Sequence, residues 1–325
     1  MSGAAMPVKA ARVLDGRGGA TTLDAAGLQN WTGGDGALWV DVDLNSDSSR
    51  TWVRRHAMLE RTVADNLLAS ETRPRAVATA SGLLIVLRGV NLNPGADPED
   101  MVAVRLWLDD KRVITSRRRR TLSVQDIADD LEAGTGPTTT GSFLVFLITK
   151  LTDRIGKVVA EIEDVMDGIE LEIPTGDIAA LRAQLSDLRR QVASIRRFLA
   201  PQRDSLDRLY RQPGAFLTEL EAQELREETD RLTRYLEDLD LARERALVTQ
   251  EELLNRIAQE QNQRMYLLSV VAAIFLPLSF LTGLLGMNVA GLPGTEASYG
   301  FAVSAATMIL IGIGLILFFR WRKWI

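Results

Sequence analysis

Residues 265–295 read MYLLSVVAAIFLPLSFLTGLLGMNVAGLPGT, and residues 297–319 read ASYGFAVSAATMILIGIGLILFF; neither stretch holds an acidic or basic side chain. A helix crosses the hydrocarbon core of a bilayer with about 20 apolar residues, and each stretch is long enough. Arg264 precedes the first, Glu296 separates the two, and Arg320, Arg322 and Lys323 follow the second. Two membrane spans are therefore expected over 265–325, joined by a turn running from Gly286 to Gly294, behind a soluble part of residues 1–264. Basic residues flank the outer ends of both spans, which places both chain ends in the cytoplasm and the turn outside. Tyr266, Tyr299, Trp321 and Trp324 fall near the span ends, where amphipathic rings favour the membrane interface.

Working back from the first span, Ala215 to Leu276 contains neither Gly nor Pro. One helix over that length would run roughly 90 Å at 1.5 Å per residue and pass straight into the membrane. Its apolar seam is Leu225, Leu232, Leu236, Leu239, Ala246, Leu253 and Ile257, interrupted by Arg243 and Gln250. That pattern fits bundle or stalk packing better than a strict two-stranded coiled coil. Residues 142–172 and 177–210 show helical spacing too, separated by Pro174-Thr175-Gly176.

Residues 1–140 read as mixed α/β. Strands are expected at 37–42, 83–90, 101–108 and 112–116, each short and rich in Val, Leu, Ile or Trp. Asp109-Asp110-Lys111 suggests a tight hairpin between the last two, Asn91 to Pro98 a surface loop, and 48–69 and 122–133 helices. The expected architecture is an α+β membrane protein: an α/β domain (1–140), a helical stalk (141–264) and a two-helix transmembrane domain (265–325).

Composition excludes several function classes. There is no cysteine and one histidine, His56, so the usual tetrahedral zinc cage cannot form. The net charge is -5; Arg320, Arg322 and Lys323 against Glu296 leave residues 265–325 at +2 and residues 1–264 at -7. A soluble part of that sign is a poor nucleic-acid partner and attracts cations. The run Arg117 to Arg120 is accordingly expected to be surface or inter-subunit charge. No nucleophile–base pairing or phosphate-cradling glycine loop is evident, so the chain is not expected to be an enzyme. Residues 1–20 carry Lys9, Arg12, Asp15 and Arg17 without an apolar run, unlike a signal peptide.

Two apolar helices cannot enclose a water-filled path alone. Either they anchor the chain, as in a non-conducting helical scaffold, or several copies surround an axis. Steps of 3 and 4 along the first span collect Asn262, Met265, Ser269, Ala272, Leu276, Ser279, Gly283 and Gly286 on one face. This small and polar stripe suits a pore lining, and equally a tight helix–helix contact. Pro277 frees a backbone carbonyl in either case. Gly286, Met287 and Asn288 could ring a pore mouth with neutral oxygens suited to a hydrated dication, or simply end the helix. Glu161, Glu163, Asp164 and Asp167 form an acidic cluster that suits a regulatory metal or a cation-attracting field, and more simply a solvated helix face.

The two spans joined at Gly286-Met287-Asn288, after a long helix and before a basic tail, resemble the CorA superfamily of divalent-cation transporters. Glu71-Thr72-Arg73-Pro74-Arg75, Arg88 to Ala96, Pro98-Glu99-Asp100-Met101, Leu276 to Leu284 and Asn288 to Gly294 are similar to its ZntB branch of zinc transporters. Met287 departs from that branch, which often has Val or Ile there; Gly-Met-Asn is the form usual in magnesium-transporting CorA. The resemblance covers nearly the whole chain. It implies a homopentamer in a bacterial inner membrane, with a cytoplasmic funnel and a pore lined by the first span. Gly286 and Asn288 would select ions at the outer mouth. The cargo implied is zinc, with cadmium, nickel, cobalt or magnesium as alternatives, coupled or not to protons, and no tightly bound cofactor.

Overall fold

The computed structural model describes residues 6–34, 36–70, 72–79, 81–214, 216–287 and 298–322. The chain divides into two compact units, residues 1–250 and 251–325. The change of character expected at residue 140 lies inside the first.

The first unit is built on a seven-stranded sheet, β1 (Ala10–Leu14), β2 (Ala20–Thr22), β3 (Leu38–Asp43), β4 (Arg75–Ala78), β5 (Leu83–Gly89), β6 (Val102–Leu108) and β7 (Arg112–Arg117). Its order is β2-β1-β3-β7-β6-β5-β4, with β3 and β7 parallel and every other pair antiparallel. The four expected strands are β3, β5, β6 and β7. The three unexpected ones are short, and β2 and β4 are edge strands with largely exposed side chains, so no alternation marks them. The β6–β7 hairpin forms as expected: the Asp109 carboxylate accepts from the backbone N–H groups of Lys111 and Arg112 at 2.9 and 2.6 Å.

The core strands are buried on both faces and so lack strict alternation. Leu38, Val40, Val42, Trp107 and Ile114 pack against α2 (Asp47–Arg55) and α3 (Arg61–Leu68) through Trp52, Val53, Val63 and Leu67. These two helices replace the single one expected over 48–69. The break spans His56 to Glu60, where Met58 takes a left-handed conformation with φ 51°; His56 is the C-cap of α2. On the other face, Phe143 of α5 (Thr140–Glu172) meets Trp39 with ring centroids 5.0 Å apart.

Arg117 corrects the expectation that 117–120 is surface charge. It is buried and donates to Asp41 from Nη2 at 2.6 Å and Nε at 3.2 Å. Thr115 Oγ1 donates to the same carboxylate at 3.1 Å. Of its neighbours, Arg119 pairs with Asp100 and Arg120 with the Gln125 side chain.

A short α1 (Ala25–Asn30) lies between β2 and β3, and α4 (Leu122–Glu132) follows β7; α5, α6 (Ile178–Arg211) and α7 (Glu219–Leu285) supply the long helices. A Thr139–Ser142 capping box starts α5. Asp177 caps α6 after the Pro174-Thr175-Gly176 break. In the first unit, α7 buries Leu225, Leu232, Leu236, Leu239 and Ala246 as expected. Ala242 and Thr249, also buried, continue the seam that Arg243 and Gln250 were expected to interrupt. Ion pairs clasp α7 to its neighbours: Arg231 with Asp153, Arg245 with Asp167 and Glu170, and Arg196 with Asp240.

The second unit holds the remainder of α7 and α8 (Gly300–Trp321). Both contain stretches long and apolar enough to cross a membrane, with none of those residues buried. Pro277 lies within α7 without ending it.

Candidate functional site

The candidate site is the apolar C-terminal end of α7, and its geometry follows from which face α8 covers. Val270, Ala273, Ile274, Pro277, Leu278 and Leu281 are the half-buried residues of this segment. Their 3–4 spacing defines one face of a helix. On α8, Ser304, Ala305, Met308, Ile311, Gly312, Leu315 and Phe319 are the sheltered residues. A Cβ added to Gly312 would meet Leu278 Cδ1 at 3.9 Å, so the two faces abut there. Small residues at Ser304, Ala305 and Gly312 permit the close approach. Sequence reasoning did not single out this α8 face, although its small residues recur at helical spacing.

Asn262, Met265, Ser269, Ala272, Leu276, Ser279, Gly283 and Gly286 are all exposed. At 100° per residue their mean direction lies well over a third of a turn from the face that α8 covers, about 150° away. The structure thus brings the expected stripe together and leaves it bare. Gly283 has open space around it, so it is not a packing contact within the chain. Some hydroxyls of these helices bond back to their own helix: Thr282 Oγ1 donates to Ser279 O at 2.9 Å, and Ser304 Oγ to Gly300 O at 2.9 Å.

Gly286 closes the last turn of α7 by donating its N–H to Thr282 O at 2.9 Å, and Met287 follows it, exposed. Asn288, the third member of the expected ion-selecting turn, lies outside the described residues.

The acidic face of α5 is partly neutralised. Arg245 donates to Asp167 at 2.6 Å and to both oxygens of Glu170 at 2.9 and 2.6 Å, and these carboxylates hold its pKa above the ordinary arginine range. The Glu163 carboxyl is pushed above its usual value, first by burial and then by the negative charges of Asp238 and Asp167. Among the described residues, no group of three or more His, Cys, Asp or Glu is placed to hold a metal ion within one chain. Glu161, Glu163, Asp164 and Asp167 therefore do not converge on a common point.

The sequence matches the family described as CorA-like Mg2+ transporter protein over residues 34–322. It is 42% identical over 295 residues to the divalent cation transporter CmaX of Pseudomonas aeruginosa, covering 89% of this chain and 88% of that protein. It is 33% identical over 312 residues to the zinc transport protein ZntB of Yersinia enterocolitica, covering 96% and 94%. The fold matches the structure of full-length CmaX with a TM-score of 0.85, at 39% identity and with both chains wholly covered. The complete structure of the CorA magnesium transporter from Methanocaldococcus jannaschii gives a TM-score of 0.83 at 18% identity, covering 97% and 98% of the two chains; this is a likeness of fold.

Proposed function

Because the chain belongs to the CorA-like transporter family, we propose that it carries divalent cations, zinc first among them, through a pore lined by the first span of five copies. The observation that supports a pore is the bare stripe from Asn262 to Gly286, turned away from the chain's own second span. A stripe serving only to pack the two spans together would lie against α8. Five copies around an axis would give the stripe a function as the wall of a hydrated path, with the second spans outside.

In this proposal Gly286, Met287 and Asn288 form the outer mouth. Carbonyl and amide oxygens there would hold a cation that keeps its waters. Residues 1–140 and 141–264 would be the cytoplasmic domain and stalk, and 265–325 the transmembrane domain, in a bacterial inner membrane with both ends cytoplasmic. The negative charge of residues 1–264, including the acidic face of α5, would raise the local cation concentration. Neither apolar stretch holds Asp, Glu, His, Lys or Arg apart from the intervening Glu296. Any proton coupling would therefore run through pore water and not a titrating side chain within a span.

A second proposal keeps the pore and changes the cargo to magnesium or cobalt. Met287 favours it, as does the Mg2+ description of the matched family. Flux of zinc and of magnesium into liposomes, with and without an imposed pH gradient, separates the two. Zinc flux that rises with the gradient supports the first; magnesium flux indifferent to pH supports the second; no flux of either sinks both. Asn288→Ala is expected to abolish discrimination between the ions while the assembly still forms. Unchanged zinc selectivity in that variant would remove Asn288 from the filter.

A further inference from the structure

Beyond the transport path, the soluble unit holds a cleft of about 630 Å3 at one end of β5, β6 and β7, beside α6. Arg73, Arg88, Arg105, Arg118, Arg119 and Arg197 line it, against one carboxylate among the described residues, Asp100, which Arg119 already engages. Six arginines converge here although residues 1–264 carry a net charge of -7.

Strand pairing assembles the cluster. Arg105 of β6 lies opposite Val86 of β5 and Ser116 of β7. Arg88 stands two residues further along β5, and the two-residue period of a strand carries it to the same side; Arg118 follows directly after β7 and lines the cleft too. Arg88 is fixed in place: it donates to Met101 O at 2.7 Å and Thr72 O at 2.8 Å, and lies 4.5 Å from the Phe198 ring centroid.

Arg105 is the informative member. It is 1% exposed, and the hydrogen bond it makes is one of 3.2 Å from Nη2 to Ser70 O. Its Nε and the neighbouring Thr72 Oγ1 are buried without a hydrogen-bond partner among the described residues. Burial first, and then the positive charges of Arg88 and Arg118, push its pKa down to about 10. A buried charge without a counter-charge opposes folding. The same sheet gives its other buried arginine, Arg117, the carboxylate of Asp41. Among the described residues the cleft supplies no such group to Arg105, and an anionic ligand would be its countercharge.

Guanidinium forks match phosphate oxygens bidentately. The cleft's volume lies in the range of small-molecule sites, beyond what a single halide fills. We propose that this cleft binds a free small-molecule anion bearing two or more phosphate groups, such as pyrophosphate or a nucleoside di- or triphosphate.

The test is isothermal titration calorimetry on the full chain in detergent at low salt, with a chelator present, using sodium pyrophosphate and ATP as probes. Saturable binding of at least one is expected. Arg118→Ala, at an exposed position that leaves the fold intact, should weaken it at least about tenfold, and Arg105→Met should remove it. Arg226→Ala, outside the cleft, should leave it unchanged. Absence of saturable heat with both probes overturns the proposal, as does unaltered affinity in Arg118→Ala. Displacement of pyrophosphate by chloride at equal concentration overturns the phosphate class in favour of a halide site.

Discussion

Asp41 shows how one residue ties the sheet to its charge pattern. It lies in a strand, Leu38–Asp43, whose other side chains are mostly apolar and buried. There it accepts from Arg117 and Thr115, and Thr115 Oγ1 in turn lies 3.0 Å from Trp39 Nε1. A bidentate pair this buried, with side chains 7% and 5% exposed, gains most of its worth from having both members present. Asp41→Ala is expected to cost about 3–5 kcal/mol in urea unfolding, because Arg117 is left buried and uncompensated. Adding Arg117→Met should recover much of that loss; a double variant as unstable as the single one would count against the pairing as the cause. The run Arg117 to Arg120 looked like one patch in the sequence. A strand alternates its faces, so the first member enters the core, while Arg118 and Arg119, just beyond the strand, line the cleft.

Among the elements, α7 carries two different chemistries along one helix. Near its membrane end the bare stripe is set apart from the α8-facing side. Ser279→Leu puts an apolar branched chain on the stripe, and zinc flux should fall at least about tenfold if a wetted path runs there. Val271→Ala, exposed but off the stripe, should leave flux within about twofold; equal losses in the two variants would mean that the stripe is not the pore wall.

In the soluble unit α7 instead meets α5 across charges. The raised pKa of Glu163 means that the folded chain binds its proton more tightly than the unfolded chain. Its contribution is therefore lost as pH rises above the ordinary value of 4.5, since the folded state holds the extra proton only in that window. Glu163→Gln should raise the urea midpoint, by an amount that grows as pH rises above the ordinary value of 4.5 and levels off once the folded carboxyl has ionised. A variant difference independent of pH would show that burial and the acidic neighbours Asp238 and Asp167 do not raise this carboxyl's pKa in solution. Arg245, which opposes them, should be held constant in the comparison.

At the scale of the whole molecule, the proposed pore requires assembly. In mild detergent the particle should have five times the chain mass of 35.8 kDa by native mass spectrometry, and a monomer that still conducts would end the proposal. Much of this architecture was legible in the sequence because it rests on local chemistry. Charge-free stretches of span length, the Pro174-Thr175-Gly176 break, the absence of Gly and Pro along 215–276 and the 3–4 spacing of Asn262 to Gly286 are properties of neighbouring residues. Transfer energies and backbone preferences act on them wherever the chain goes. The family resemblance added the expectations of pentamer, cargo and selectivity, which a single chain's geometry does not carry. Tertiary structure alone decided which face of α7 its own α8 covers, that Arg117 is buried on Asp41, and that Arg88, Arg105 and Arg118 meet. Those outcomes depend on strand register and helix packing between residues far apart in the chain, and side-chain pattern along a single segment holds no record of them.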